Sequence, residues 1–192
     1  TVYDAWETGY VPINQAFADS ILAEARESPR LPLIILHDYH LYLVPGMVRR
    51  ERPDAIIQHF LHNPWPSARF WQLLPASIRT AICESLCASD VVGFQNSWDV
   101  HNFLESCHRF IHNAKVDFAS CTVDVEGHRT LVRNYPMSID VEEVRRIAGS
   151  SRALDYERQL SSSCVARTIV RVDRAEPSKN ILRGFKAYQL LL

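Results

Sequence analysis

The sequence predicts an α/β fold built on a doubly wound, mostly parallel sheet. Short apolar runs of strand length recur along the chain, and a segment with helical spacing of apolar residues follows each of them. Apolar runs without period-two alternation are typical of strands that neighbours cover on both faces. Their alternation with helices favours a doubly wound sheet over an all-helical or all-β fold.

Strand–helix alternation accounts for the first 112 residues. The apolar runs LPLIIL, DAIIQHFLH and DVVGF predict three buried strands, and the segments between them have apolar residues at helical spacing. The predicted elements are, in order, helix 12–27, strand 31–36, helix 41–52, strand 54–62, helices 67–73 and 76–87, strand 90–94 and helix 97–112.

The chain changes character after residue 115. Period-two segments on either side of Glu126-Gly127, within 115–136, predict a β-hairpin. A helix is predicted over 138–149, because Ser138 or Asp140 can cap its first turn and acidic residues follow.

A domain boundary is predicted near residues 146–163, a polar stretch that contains SSS and is interpreted as a linker. The run CVARTIVRV (164–172) then predicts a new buried strand, and SKNILRGFKAYQLLL a new helix. We therefore expect a first domain over 1–145 and the start of a second over 164–192. The chain stops inside an apolar helical pattern, which indicates a piece of a longer protein.

Composition excludes several classes of function. The chain has 192 residues, a net charge of −1, and scattered rather than clustered Lys and Arg, which favours neither a nucleic-acid partner nor a membrane surface. No run reaches the roughly 18 apolar residues that span a bilayer. The chain has five cysteines, an odd number with no CxxC spacing, and they are Cys83, Cys87, Cys107, Cys121 and Cys164. Cys83 and Cys87 lie one turn apart on a predicted helix, which favours buried thiols over a disulfide, and we expect a reducing, cytoplasmic compartment.

Polar residues close two of the predicted strands. LHDYH ends the first strand with His37 and Asp38, and FLHNPWP ends the second with His62. Ligands of open parallel sheets lie beyond the carboxyl ends of the strands, so these residues are candidates for a site. The alternative is that they only cap a helix or bind the turn. A metal site is disfavoured, because side chains three apart on a strand point to opposite faces.

Two cations follow the strand-like run TIVRV. Arg174 and Lys179 lie where a helix begins, and the helix N-terminus adds unpaired N–H groups and partial positive charge. Such a pair suits a diphosphate, although the R-x-x-x-x-K spacing taken alone favours two solvated surface cations. The chain contains no G-x-G-x-x-G and no Walker loop, and no cofactor is expected.

Four blocks of the sequence resemble the trehalose-6-phosphate synthase family of retaining glycosyltransferases. They occur in the family's order, and WETGYVPINQAF before them is also similar. The four blocks are HDYHLYLVPGMVRRERPDAIIQHFLHNPWPSARFWQLLP, DVVGFQNSWDVHNFLESC, YPMSIDVEEV and VDRAEPSKN.

This resemblance implies a GT-B architecture, two Rossmann-like domains facing a cleft, and transfer of glucose from UDP-glucose or a related nucleotide sugar to a sugar phosphate. It implies retention at the anomeric carbon without a metal. By the resemblance, Asp38 holds acceptor hydroxyls, His62 contacts the transferring sugar, and Arg174 and Lys179 bind the donor diphosphate. The leaving phosphate oxygen itself takes the acceptor's proton, so that no side-chain base is needed.

Several positions depart from the family's usual residues. Asn63 follows the histidine where isoleucine is common, Ser138 replaces a glycine, 175–177 reads Ala-Glu-Pro for Leu-Asp-Tyr, and Asn180 replaces a glycine. Asn tolerates a left-handed backbone, so we expect Asn180 to preserve that loop's shape. These departures leave open a glucosylglycerol-phosphate synthase or a pseudo-glycosyltransferase that joins cyclitols. A catalytically silent sugar-phosphate-binding homologue is a separate alternative, and the oligomeric state, which includes a homo-oligomer, also stays open.

Overall fold

The computed structural model describes residues 1–27, 31–162 and 168–192. These form two compact units, Thr1–Ser138 and Ile139–Leu192. Within the described residues no helix is long and apolar enough to cross a membrane.

The first unit is built on one sheet, and the described part of the chain places six strands in it. Their order is β1-β2-β3-β6-β5-β4. Strands β1, β2, β3 and β6 run parallel, whereas β5 and β4 are antiparallel additions at the far edge. The strands are β1 Leu33–His37, β2 Ile56–Phe60, β3 Val91–Phe94, β4 Lys115–Asp117, β5 Thr122–Val125 and β6 His128–Asn134.

Helices connect the parallel strands, and their apolar faces share the core with alternate strand residues such as Ile34, Ile57 and Val92. The predicted helices form close to their expected bounds, and Pro45 lies in the first turn of its helix, where its missing N–H costs nothing. The helices of this unit are α1 Val2–Ala5, a π-turn at Trp6–Tyr10, α2 Val11–Glu27, a 3₁₀ turn at Tyr39–Leu41, α3 Val44–Glu51, α4 Ala68–Trp71, α5 Ala76–Leu86 and α6 Ser97–Phe110.

The expectation that the first two strands are covered on both faces is wrong. Leu33, Ile35 and Ile56 are 63%, 55% and 45% exposed. Their neighbours Ile34 and Ile57, which point to the opposite face, are buried in the core. An apolar run indicates that both faces of a strand are apolar, but it does not indicate whether a neighbouring element covers the second face.

The predicted hairpin is confirmed, with β5 and β6 joined at Glu126 and Gly127. Both turn residues have positive φ, 52° and 87°, as a two-residue turn between twisted strands requires. The hairpin also extends the parallel sheet, because β6 pairs with β3 from Val91↔Leu131 to Phe94↔Asn134. That pairing places the end of β6 beside the ends of the three parallel strands.

The second unit contains α7 Val141–Ala148, α8 Ser151–Ser161, a 3₁₀ turn at Pro177–Lys179 and α9 Ile181–Leu191. Asp140 caps α7 by accepting from the backbone N–H of Glu143 at 3.0 Å, as predicted. The stretch interpreted as a linker includes the whole of α8, which Ser150 caps.

The strand predicted over 164–172 does not form in its described part. Residues 169–172 carry no strand pairing, and Ile169, Val170 and Val172 are 72–89% exposed. Residues 164–167, with Cys164, lie outside the described residues. A strand is completed by hydrogen bonds to a neighbouring strand, and the described part of this unit places no strand beside 169–172.

The buried thiols predicted at Cys83 and Cys87 are confirmed, and the structure adds a third at Cys107. Cys83, Cys87 and Cys107 are free and at most 2% exposed, and the Sγ atoms of Cys87 and Cys107 lie 3.5 Å apart between α5 and α6. Burial raises the pKa of the Cys107 thiol well above its ordinary value. Such thiols are unreactive and act as small apolar side chains.

Candidate functional site

Asp38 joins the carboxyl ends of β1 and β2. Its backbone N–H donates to the carbonyl of Phe60 at 2.9 Å, and its carboxylate Oδ1 accepts the backbone N–H of His62 at 2.8 Å and of Asn63 at 3.4 Å. The residue has φ 60° and ψ 179°, a conformation that glycine adopts but other residues occupy only under strain. Strain of this kind persists where surrounding contacts hold it, and it is concentrated at functional sites.

His62 pairs with His37 on the same face of the sheet. His37 is in register with Phe60, and His62 comes two residues later, so both rings project to one side. Nδ1 of His37 lies 3.2 Å from Nε2 of His62, and the rings stack at 5.3 Å. Asp38 and His62 therefore lie together at neighbouring strand ends, both at least partly exposed.

The histidines do not assemble a metal site in the described residues. No group of three His, Cys, Asp or Glu side chains there lies close enough to hold an ion. The sequence contains two H-x-x-H pairs, His37 with His40 and His59 with His62. The two members of each pair lie apart: the ring of His40 packs against Tyr39, and His59 is buried in the core face. The close pair is His37 with His62, from two different strands.

Helix α2 fixes the loop after Asp38. The Asn14 side chain, fully buried, donates to the carbonyl of His40 at 3.0 Å and accepts from the N–H of Leu43 at 3.0 Å. The Tyr10 hydroxyl donates to the carbonyl of Tyr39, and burial raises the pKa of this phenol to about 12. Asn14 was not predicted from the sequence, although an Asn on the apolar face of a helix signals such a role.

Helix α6 fixes the segment after His62. Asp99 accepts the backbone N–H of Trp65 at 3.0 Å, Asn102 donates to the Trp65 carbonyl at 2.9 Å, and Ser106 accepts the indole N–H at 3.0 Å. These three residues were not predicted from the sequence. Their spacing, polar residues at i, i+3 and i+7 on an apolar helical face, is the signal that could have found them.

We expect Asp99→Ala to lower the free energy of unfolding by about 1–3 kcal/mol, because it leaves the buried N–H of Trp65 without its acceptor. Urea unfolding at neutral pH measures the effect. Asp19→Ala is the matched control, since Asp19 makes one exposed contact to Gln15 and should change stability by less than about 0.5 kcal/mol. Equal stability of the two variants would show that the hydrogen bond between Asp99 and the Trp65 backbone does not stabilise the fold.

His59 is a neutral histidine inside the core face of β2. Burial lowers its pKa from 6.5 to about 4, against an opposing contribution from its hydrogen bond to the Asp38 carbonyl. The unfolded chain therefore binds this proton more readily than the folded chain between pH 6.5 and 4. The stability contributed by the neutral ring is present above pH 6.5 and is lost as pH falls toward 4.

We expect acidification from pH 7 to 4 to remove about 3 kcal/mol of unfolding free energy through His59 alone. Comparison of urea unfolding of the wild type and of His59→Phe at several pH values isolates this contribution from the carboxylates that titrate in both. The difference between the two proteins should change most between pH 6.5 and 4. If the difference in unfolding free energy between the two proteins stayed constant with pH, His59 would not be the group that takes up the proton on unfolding.

In the second unit, Arg174 and Lys179 converge on one carboxylate. Arg174 Nη2 and Lys179 Nζ lie 3.4 and 3.6 Å from the same Glu176 oxygen, Oε1. A hydrogen bond from Ser178 lowers the pKa of Glu176, and the two cations lower it further. The loop thus gathers two positive charges around an anion supplied by its own chain.

Asn180 ends this loop in the left-handed conformation, with φ 56° and ψ 36°, immediately before α9. The expectation that it preserves a glycine-like backbone is confirmed. The carbonyl of Lys179 also accepts a hydrogen bond from Arg171. The left-handed backbone of Asn180 and the hydrogen bond from Arg171 both hold Lys179 at the start of α9.

A family model settles the classification of the chain. The model for glycosyltransferase family 20 matches residues 1–192. The chain belongs to glycosyltransferase family 20. Membership confirms the resemblance drawn from the four sequence blocks.

Relatives within glycosyltransferase family 20 differ in the reaction for which they are named. The chain is 35% identical over 179 residues to a validamine 7-phosphate valienyltransferase of Streptomyces hygroscopicus subsp. jinggangensis, covering 91% of this chain and 34% of the relative. It is 32% identical over 185 residues to a bifunctional trehalose-6-phosphate synthase/phosphatase of Thermoproteus tenax, covering 95% of this chain and 24% of the relative. The chain therefore spans about a third or less of these two relatives.

A solved structure from Escherichia coli, described as trehalose-6-phosphate bound with UDP-2-fluoro glucose, is similar in fold. Its TM-score is 0.67 at 26% identity, over 82% of this chain and 34% of that one. The α/β fold with a mainly parallel sheet, predicted from the sequence, is confirmed for this family member.

Proposed function

We propose that the protein containing this chain transfers glucose from a UDP-glucose-like donor to a sugar phosphate such as glucose 6-phosphate, with retention at the anomeric carbon, and forms trehalose 6-phosphate or a close analogue. The observation that carries the proposal is the pairing of Asp38 with His62 at the ends of β1 and β2. Membership in glycosyltransferase family 20 supports the reaction class. The UDP-2-fluoro glucose of the E. coli structure supports the donor class.

Asp38 and His62 are assigned to the sugars. Oδ1 of Asp38 is held by backbone N–H groups, which leaves Oδ2 to accept a hydroxyl of the acceptor. The His62 ring, held by His37, presents a nitrogen to the transferring sugar. Both side chains are held by the ends of β1 and β2, so the reacting groups meet a prearranged polar surface.

Arg174 and Lys179 are assigned to the donor diphosphate. The bond between the sugar and the phosphate oxygen breaks, and the leaving diphosphate gains negative charge. Cations already in place stabilise that charge more in the transition state than in the ground state. The leaving oxygen takes the proton from the acceptor hydroxyl, so the reaction needs no base from the protein. We assign residues 1–145 to the acceptor side and residues from 164 to the start of the donor side.

The test is release of UDP when the full-length protein is mixed with UDP-glucose and glucose 6-phosphate. Release that depends on both substrates supports a synthase. Binding of sugar phosphate without release from any donor would instead indicate the catalytically silent homologue.

A pseudo-glycosyltransferase is the second candidate, and the 35% identity to the valienyltransferase favours it. Such an enzyme joins cyclitol units, so its donor lacks a ring oxygen at the reacting centre. A matrix of donors and acceptors separates the two candidates. Turnover restricted to a nucleotide-linked cyclitol would overturn the glucose assignment while leaving the roles of the four residues in place.

A further inference from the structure

His59 is a buried polar residue beside the candidate site that the proposed mechanism does not use. It is fully buried on the core face of β2, with its ring 5.8 Å from that of Tyr42. Its Nε2–H donates to the backbone carbonyl of Asp38 at 3.0 Å. The Asp38 carbonyl also accepts from the N–H of Leu41, at the longer distance of 3.4 Å.

The ring is only half satisfied. With Nε2 protonated, Nδ1 is an acceptor, and no group in the described residues donates to it. An unpaired buried acceptor is costly, and an apolar ring of similar size would avoid that cost. The one contact that distinguishes His59 from such a ring is its hydrogen bond to Asp38.

Asp38 is also the strained residue of this region. Its φ of 60° and ψ of 179° direct its carbonyl toward His59 in the core and its carboxylate toward the amides of His62 and Asn63 on the other side. Rotation to an ordinary β or α conformation would move both groups. A hydrogen bond to the carbonyl opposes that rotation.

We propose that His59 is a positioning residue, which holds Asp38 in its glycine-like backbone conformation and so aims the carboxylate at the site. The consequence for reaction rate rests on the proposed function. The mechanical coupling between His59 and Asp38 does not, and it can be measured without any substrate.

The rate test compares three variants of the full-length protein. His59→Phe keeps a ring but removes the donor, His59→Gln keeps an N–H donor, and His128→Phe removes a comparable contact, 3.1 Å from Nε2 to the carbonyl of Ser89, at the opposite end of the sheet. We expect His59→Phe to unfold at the wild-type urea midpoint or above while kcat falls about 10- to 100-fold with a smaller change in donor KM. His59→Gln should recover part of the rate, and His128→Phe should keep it.

Wild-type kcat in folded His59→Phe would overturn the proposal, as would an equal loss in His128→Phe. If His59→Phe does not fold, the ¹⁵N shifts of His59 in the wild-type protein decide: a proton on Nε2 supports the contact, and a proton on Nδ1 excludes it. In that case the kcat of His59→Gln, compared with the wild type, is the rate measurement.

The coupling test uses unfolding alone. In an Asp38→Gly background the backbone is unstrained, so His59→Phe should shift the urea midpoint differently from its shift in the wild type. Equal shifts in both backgrounds would exclude the coupling. Coupling without transfer activity would refute the proposed function but preserve this inference. Transfer activity without coupling would support the proposed function and refute this inference.

Discussion

Arg174→Ala and Lys179→Ala are each expected to lower kcat/KM of the full-length protein by about 10- to 100-fold. Charge-assisted hydrogen bonds to phosphate in a site closed to water contribute roughly 1.5–3 kcal/mol each, and each 1.4 kcal/mol is about tenfold. Steady-state kinetics with UDP-glucose, together with UDP binding by calorimetry, measure the effect. Arg174→Lys should recover little, because an ammonium cannot make a two-pronged contact.

Glu176→Gln is the matched variant, and it is expected to change UDP affinity in the opposite direction. It removes the carboxylate that lies 3.4 and 3.6 Å from the two cations but keeps a side chain of the same size. Because diphosphate no longer competes with an internal anion, UDP should bind this variant more tightly. Wild-type kinetics in both alanine variants would show that Arg174 and Lys179 are solvated surface cations.

His62→Ala is expected to lower kcat by about 100-fold while the Kd for UDP changes little. The ring is assigned to the transferring sugar, where charge develops only as the bond breaks, so its loss affects turnover more than binding; removal of one such donor costs about 10²–10³ in rate. Single-turnover kinetics and UDP calorimetry separate the two effects.

His101→Ala is the control for His62→Ala. His101 lies on α6, is exposed and packs against Phe118, in a part of the unit to which we assign no substrate contact. Its substitution should leave kcat unchanged. Full activity in His62→Ala would remove this histidine from the mechanism, and a parallel loss of UDP affinity would move it to donor binding.

Much of the site was predictable because its determinants are local. Asp38 and His62 end two apolar runs, and parallel strands place their carboxyl ends at one edge, so their proximity follows from strand assignment alone. The left-handed turn at Asn180 follows from turn chemistry that operates within a few residues.

The sequence can mark Asn14 and Asp99 as polar residues on apolar helical faces, but it does not predict which groups they bind, because those groups come from distant parts of the chain. Asp99 binds the backbone of Trp65 only when α6 packs under that segment, and Asn14 binds the loop after Asp38 only when α2 packs beside it. Nothing local in either sequence stretch encodes the distance to its partner. His37 meets His62 through the register of β1 and β2, which a shift of one residue would abolish.

The sequence by itself determined the order of strands and helices from α2 to α6, the hairpin at Glu126-Gly127, the cap at Asp140 and the membership in glycosyltransferase family 20. Tertiary structure alone decided that β6 pairs with β3, that Leu33 and Ile35 are exposed, and that 169–172 carries no strand pairing. The reason is physical. Helical periodicity, caps and turns are satisfied within a few residues, whereas a strand is completed only by the neighbour that accepts its hydrogen bonds and covers its face.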